Sequence, residues 1–267
     1  MLFVLLATYI LLVCSVLPHT RVFASSEQAY SDYLYQFDMY RQKNTEFKIA
    51  KNEYDKFKTL TSQTAALEKS KEFLAARNQL LKAYLFVLNE KLNEDAGLVS
   101  TMKNLYQTLI RNEVAFLEQH SELVAAVGSL QDAENVSKQL SSHYTVLQAS
   151  MRQTIIGVSL GQLAVVAKSF DESQRNARAF VIENRSLLPS QKQAVLDRWM
   201  IQIGNKRSLY TQKVETITLD NAKLKGRSID ELDRVFSKLQ KDLIDARQYL
   251  AEGTSYLSEL LMAMRYD

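Results

Sequence analysis

Anything that interrupts a helix is scarce in this sequence. Its 267 residues include two prolines and seven glycines. Sandwiches and barrels need these residues at nearly every chain reversal, so their shortage argues against both and for long helices joined by few turns. Leu, Ala, Lys, Glu and Gln, all good helix formers, are abundant instead. There is one cysteine, Cys14, inside an apolar N-terminal run. Without that run the chain has no thiol, which excludes a disulfide framework, a thiolate metal site and a cysteine nucleophile. A disulfide-free exported chain must be stable through its core or through assembly.

Excess charge of one sign is also missing. The 33 basic and 30 acidic residues leave a balance of +3, one less once Arg21 is lost with the N-terminal run. A balance this close to neutral gives no electrostatic case for nucleic acid. The stretch RQKNTEFKIAKNEYDKFK interleaves basic and aromatic side chains, as a nucleic-acid face does. Glu46, Glu53 and Asp55 interrupt it, so it reads as a solvated helix face, and no nucleic-acid partner is expected.

The N-terminus is informative. Leu2–Leu17 is apolar except for Thr8, Tyr9 and Ser15. A spanning helix needs about 20 apolar residues, and this run is shorter. Pro18 ends it, and Val22, Phe23 and Ala24 form a signal-peptidase site with cleavage after Ala24. No Lys or Arg precedes the run, so the positive n-region is only the α-amino group. The alternative is a retained anchor with Pro18 to Arg21 at the interface, the one route to membrane contact. Cys14 follows Val13 and is followed by further apolar residues, which suits a small apolar core residue and not a lipidation site. Residues 1–24 are therefore expected to be a signal peptide or anchor, and residues 25–267 an extracytoplasmic body, secreted or held in the cell envelope.

Along that body, apolar residues step by three and four between the breakers. The first helix is expected from about Ser26 to Leu60, with an aromatic seam of Tyr30, Tyr33, Phe37, Tyr40, Phe47 and Tyr54. The hydroxyls of TLTSQT cap a second helix, from about Gln63 to Glu94, on which Leu67, Leu74, Leu81 and Leu88 repeat every seven residues. Gly97 is a candidate left-handed terminator for it. The third helix carries Leu98 to Val127 and stops at Gly128, with Ser129 capping the fourth.

The fourth, from about Leu130 to Leu188, is longest, with a possible break at Ser169. Its centre, TIIGVSLGQLAVVA, reads as too short and too polar for a membrane span and suits a helix buried from several sides. Gly157 and Gly161, four apart, predict a close helix approach there. Pro189 opens the fifth helix and Gly226 closes it. Ser228 and Glu231 form a capping box for the sixth. Its seam runs Ile229, Leu232, Phe236, Leu239, Leu243, Ala246, Leu250, Gly253, Leu257, Leu260 and Met264, with Gly253 as a weak rung. The fold class is therefore all-α, an elongated up-and-down antiparallel bundle of about six long helices with coiled-coil character.

Catalytic patterns are absent. There is no C-x-x-C-H, no H-E-x-x-H and no glycine-rich phosphate loop. His120 and His143 lie at unequal distances from the turn at Gly128 and should not sit level, and neither follows a Glu three residues earlier. Both read as satisfied core or rim histidines, so no metal, no cofactor and no catalytic residue is expected. Glu94 and Asp95 sit in a turn, where exposed charge needs no catalytic explanation. Asn135-Val136-Ser137 and Asn184-Arg185-Ser186 have the glycosylation pattern, but both fall inside expected helices.

The run FKIAKNEYDKFKTLTSQTAALEKSKEFLAARNQLLKAYLFVLNEKLNE, Phe47 to Glu94, resembles helical exported proteins of candidate-phyla bacteria. The resemblance covers about a fifth of the chain. It implies a bacterial envelope setting, in which the Asn triplets have no role, and it brings no catalytic motif and no family activity.

The leading functional expectation is a non-enzymatic helical scaffold or protein-interaction module of the cell envelope. A protein partner docks on the aromatic first helix at Tyr30, Tyr33, Phe37, Tyr40, Phe47 and Tyr54, with self-association through the last helix as a variant. The alternative is a ligand-sensing or small-molecule-binding bundle lined by Tyr33, Tyr40, Phe47 and Trp199. An exported enzyme built from converging exposed carboxylates ranks below both.

Overall fold

The computed structural model describes residues 25–265, so the expected signal peptide or anchor lies outside the described residues. Six helices account for nearly all of them: α1 Ser26–Phe57, α2 Leu60–Glu94, α3 Ser100–Ala125, α4 Leu130–Asn184, α5 Ser190–Ala222 and α6 Ile229–Arg265. A single 3-10 turn, Arg185–Leu187, follows α4. The fold is all-α, as its composition requires.

The helix ends carry the expected hydroxyl chemistry. Ser25 Oγ accepts from the Gln28 amide, and Ser129 Oγ from the Asp132 amide. Thr59 and Ser62 satisfy one another's backbone amides in a reciprocal box. Ser228 and Glu231 do the same before α6. The first helix stops short of Leu60 because Lys58 takes a left-handed conformation (φ 51°) and turns the chain at once into α2. Ser169 does not break α4, since its hydroxyl bonds back to the Val165 carbonyl within one continuous helix.

Consecutive helices pack as neighbours, but not around a single axis. The 55-residue α4, roughly 80 Å long, runs past two cores. Its N-terminal half closes one core with α2 and α3, built on Leu85, Leu92, Leu117, Leu140 and Leu147. Its C-terminal half closes the other with α5 and α6, built on Ile156, Leu196, Ile203, Ile217, Leu232 and Leu239. The α6 seam lies in that second core, so its stripe is filled from within the chain. A small cluster of Leu74, Val124, Val127, Ala133 and Val136 seals the α3–α4 turn against α2. α1 packs chiefly on α2.

Four glycines mark close approaches to α4. A Cβ on Gly157 would lie 2.3 Å from the Tyr106 ring, and one on Gly161 would lie 2.2 Å from the Asp95 carboxylate. The four-residue spacing does mark a close approach, made by α3 and by the α2–α3 turn. Gly97 differs from its expected role: among the described glycines only Gly226 has a left-handed φ, at 85°. Asp95 Oδ1 accepts the amides of Gly97 and Leu98 instead and shapes the turn. Gly253 also differs. Its bare backbone gives room to the Phe170 ring, which would stand 2.8 Å from a Cβ there, so the weak rung is a packing site.

Candidate interaction surface

The aromatic seam of α1 folds half inward. Tyr33 meets Tyr84 of α2 at 5.4 Å between ring centroids, and Tyr40 meets Phe73 at 5.6 Å. Phe47 stacks nearly parallel on Phe73, at 5.1 Å. Tyr54 is half-buried, with the Lys58 ammonium 4.5 Å from its ring centroid. Tyr30 and Phe37 stay exposed, at 52% and 39%, each in ring contact with Tyr33. Leu34, Tyr35 and Ile49 are exposed as well. Seam reasoning passed over these three because it selects the inward stripe, whereas they lie off that stripe, Tyr35 beside a shallow pocket shared with Ala83 and Phe86 of α2.

An ion cluster joins α1 to α2 beside this seam. Lys43 reaches Glu72 at 2.7 Å, and Lys69 reaches Glu46 at 3.0 Å, with Lys43–Glu46 and Lys69–Glu72 closing the square. Hydrogen bonds from Lys69, Gln42 and Lys43 pull Glu46 from 4.5 down to about 2. A carboxyl depressed in the folded state contributes stability above its unfolded pKa and loses it as pH falls through the folded value. The wild-type melting temperature should therefore fall between pH 4.5 and about 2 more steeply than that of Glu46→Gln. Parallel melting curves for the two proteins over that interval would refute the assignment.

Between α1, α2 and the start of α4 lies an open groove of about 500 Å³. Phe47, Ala66, Phe73, Leu74, Leu130 and Ala133 form its apolar wall, and Lys51, Tyr54, Asp55, Ser70, Glu134 and Ser137 supply the polar groups. The seam residues Phe47 and Tyr54 therefore face it. Trp199 does not. It packs on Tyr256 at 5.4 Å, in the core formed by α5 and α6. Tyr33, Tyr40, Phe47 and Trp199 do not converge on one site.

His120 and His143, the two histidines among the described residues, have partners at different levels of the bundle. Buried His120 lies between Asn78 and the Val136 carbonyl, 2.8 Å from the latter. Burial pushes its pKa down, which favours the neutral ring. His143 stacks on Phe116 and bonds Glu113 at 2.7 Å. Ser150 Oγ donates to the other oxygen of Glu113. This trio has the wrong order for nucleophilic catalysis: the acid stands between Ser and His, so the imidazole is not placed to take the serine proton. Glu94 accepts the Ser26 amide at 2.8 Å and Asp95 holds its own turn, so both have structural work. Among the described residues no three metal-ligating side chains cluster.

The centre of α4 reads as too short and too polar for a span, yet by length and composition the segment Leu130–Leu187 is long and apolar enough to cross a membrane. Half of its apolar window is buried inside the fold. In comparisons with known proteins the chain matches no protein-family model, no curated protein and no solved structure.

Proposed function

We propose that this chain is a non-enzymatic, extracytoplasmic helical scaffold, an interaction module of the cell envelope that presents the outer face of α1 to a protein partner. The observation that carries the reading is the packing of α1. This helix of 32 residues rests chiefly on one neighbour and has only three buried residues, Ser26, Ala29 and Ala50. It keeps Tyr30, Leu34, Tyr35, Phe37 and Ile49 in contact with water. Tyrosine-rich amphipathic surfaces gain from burial while keeping the hydroxyl solvated, as interface cores require. The export reading rests on the apolar run and its cleavage pattern, and α1 is capped by Ser25, the first residue after the expected cut.

The test uses the chain with its native N-terminus in an exporting bacterium. A photo-crosslinking residue at Tyr35, 63% exposed, should give a discrete adduct, whereas one at exposed Gln240 on α6 should give none. Equal labelling at both positions, or none at Tyr35, would refute the docking face. Intact mass and fractionation of the same cells address the location. A soluble species starting at Ser25 means a released module, an envelope-bound species retaining Met1 means a tethered one, and a cytoplasmic species sinks the export reading.

A further inference from the structure

The exposed stripe of α1 reads alike from either end. It lies on the far side of the helix from Tyr33, Tyr40 and Phe47, whose rings meet α2. Its members Glu27, Leu34, Asp38, Thr45, Ile49 and Lys56 are all exposed. Leu34 follows Glu27 by seven residues, as Lys56 follows Ile49, and Asp38 follows Leu34 by four, as Ile49 follows Thr45. Steps of four and seven return to one side of a helix, so the six form one line. Turned end over end about a point between Arg41 and Gln42, that line falls on itself. Leu34 then meets Ile49, Asp38 meets Thr45, and Glu27 meets Lys56.

Charge is arranged for the same pairing. Outside the ion square, the first half of α1 carries Glu27, Asp32 and Asp38 against Arg41, and the second carries Lys48, Lys51 and Lys56 against Glu53 and Asp55. Asp55 holds Lys51, and Lys56 lies over the Phe57 ring, but among the described residues Glu27, Asp38, Lys48 and Lys56 have no ion-pair partner. Two α1 helices laid antiparallel bring each acidic half against a basic half and oppose their dipoles. This order of charge also suits the dipole of a single helix, so the matched apolar pair decides more. Leu34 and Ile49, 44% and 56% exposed, stand equally far from the axis. Asp38 and Thr45 lie between them, and polar residues inside a seam fix its register.

We propose that a second copy of this chain is the partner of α1, docked helix to helix and antiparallel about a twofold axis between Arg41 and Gln42. Each contact then occurs twice, so the interface closes as a dimer and recruits no further copies. This pairing rests on the reading of α1 as a docking face and names the occupant.

Sedimentation equilibrium of the full chain should show monomer and dimer in exchange. Leu34→Asp or Ile49→Asp, both at exposed positions, should weaken the dimer about ten-fold with the helix signal unchanged. Glu27→Lys alone should weaken it roughly three-fold, and adding Lys56→Glu should restore it. Orientation is read by oxidation in a Cys14→Ser background. A Leu34→Cys chain mixed with an Ile49→Cys chain should form a disulfide-linked pair, and neither chain should do so alone. A chain still monomeric at about 0.5 mM, a Glu27→Lys defect that Lys56→Glu deepens, or Leu34→Cys chains that link as readily to themselves would each overturn the pairing. The photo-crosslink at Tyr35 separates this proposal from the docking face itself. An adduct with the mass of two copies supports both. An adduct to a different protein overturns self-pairing and leaves the docking face standing, and no adduct overturns both.

Discussion

Gly97→Ala is expected to lower the melting temperature of this protein by roughly 10 °C. The added Cβ would stand 1.9 Å from the carbonyl oxygen of Gly161 and 2.8 Å from its carbonyl carbon. Both are backbone atoms inside α4, so no flexible side-chain end can move aside. The turn must lift off the helix, taking the Asp95 carboxylate and the amides it caps with it. Overpacking of this kind costs about 3 kcal/mol. For a chain of this size each kcal/mol shifts the midpoint by roughly 2–4 °C. Two other glycines serve as controls on the same scale. Gly204 lies within α5 with nothing inside 4 Å of an added Cβ, so Gly204→Ala should stabilise by about 1 kcal/mol. Gly226 also has open space but a φ of 85°, so Gly226→Ala should cost about 1–2 kcal/mol through backbone strain alone. Thermal unfolding of the three variants gives the ranking, and a Gly97→Ala protein melting within a few degrees of wild type would show that the turn does not bear on α4 as described.

That glycine also shows where reading the sequence runs out. The capping residues Thr59, Ser129 and Ser228 were legible because a cap is a local event, settled within four residues of chain. The α6 stripe was legible because burial on a helix repeats every three or four residues. Gly97 follows a helix, where a left-handed terminator is the usual local reading, but its reason lies 64 residues away in Gly161. Gly253 is a similar case, set by Phe170 on another helix. For the candidate sites, the aromatic seam of α1 stood out by spacing, whereas its division into an inward half and a wet half depends on how few helices cover it.

Asn221→Ala should weaken the connection between the two cores. Asn221 sits in the last turn of α5 and is 2% exposed. Its Nδ2 donates to the Tyr106 hydroxyl of α3 at 3.2 Å and to the Gln153 carbonyl of α4 at 3.1 Å. Gln153 Nε2 returns a bond to the Asn221 carbonyl at 2.8 Å. Tyr106 is the residue whose ring fills the space above Gly157, so one amide ties α5 to the close approach of α3 on α4. Alanine deletes both donors and leaves the buried Tyr106 hydroxyl without this partner, while the Gln153 carbonyl keeps only its bond within α4, a loss of about 1–2 kcal/mol. Aspartate should be worse, because a carboxylate cannot donate to the Gln153 carbonyl and must itself be buried. The chain has one tryptophan, Trp199, and it reports on the α5–α6 core. In the wild type its fluorescence and the far-ultraviolet helix signal should lose structure at the same urea concentration, because the shared α4 and this bridge make the two cores one cooperative unit. In Asn221→Ala the tryptophan transition should move to lower urea than the helix signal. Coincident transitions in the variant, or an unchanged midpoint, would place the coupling in the continuity of α4 alone and not in the bridge.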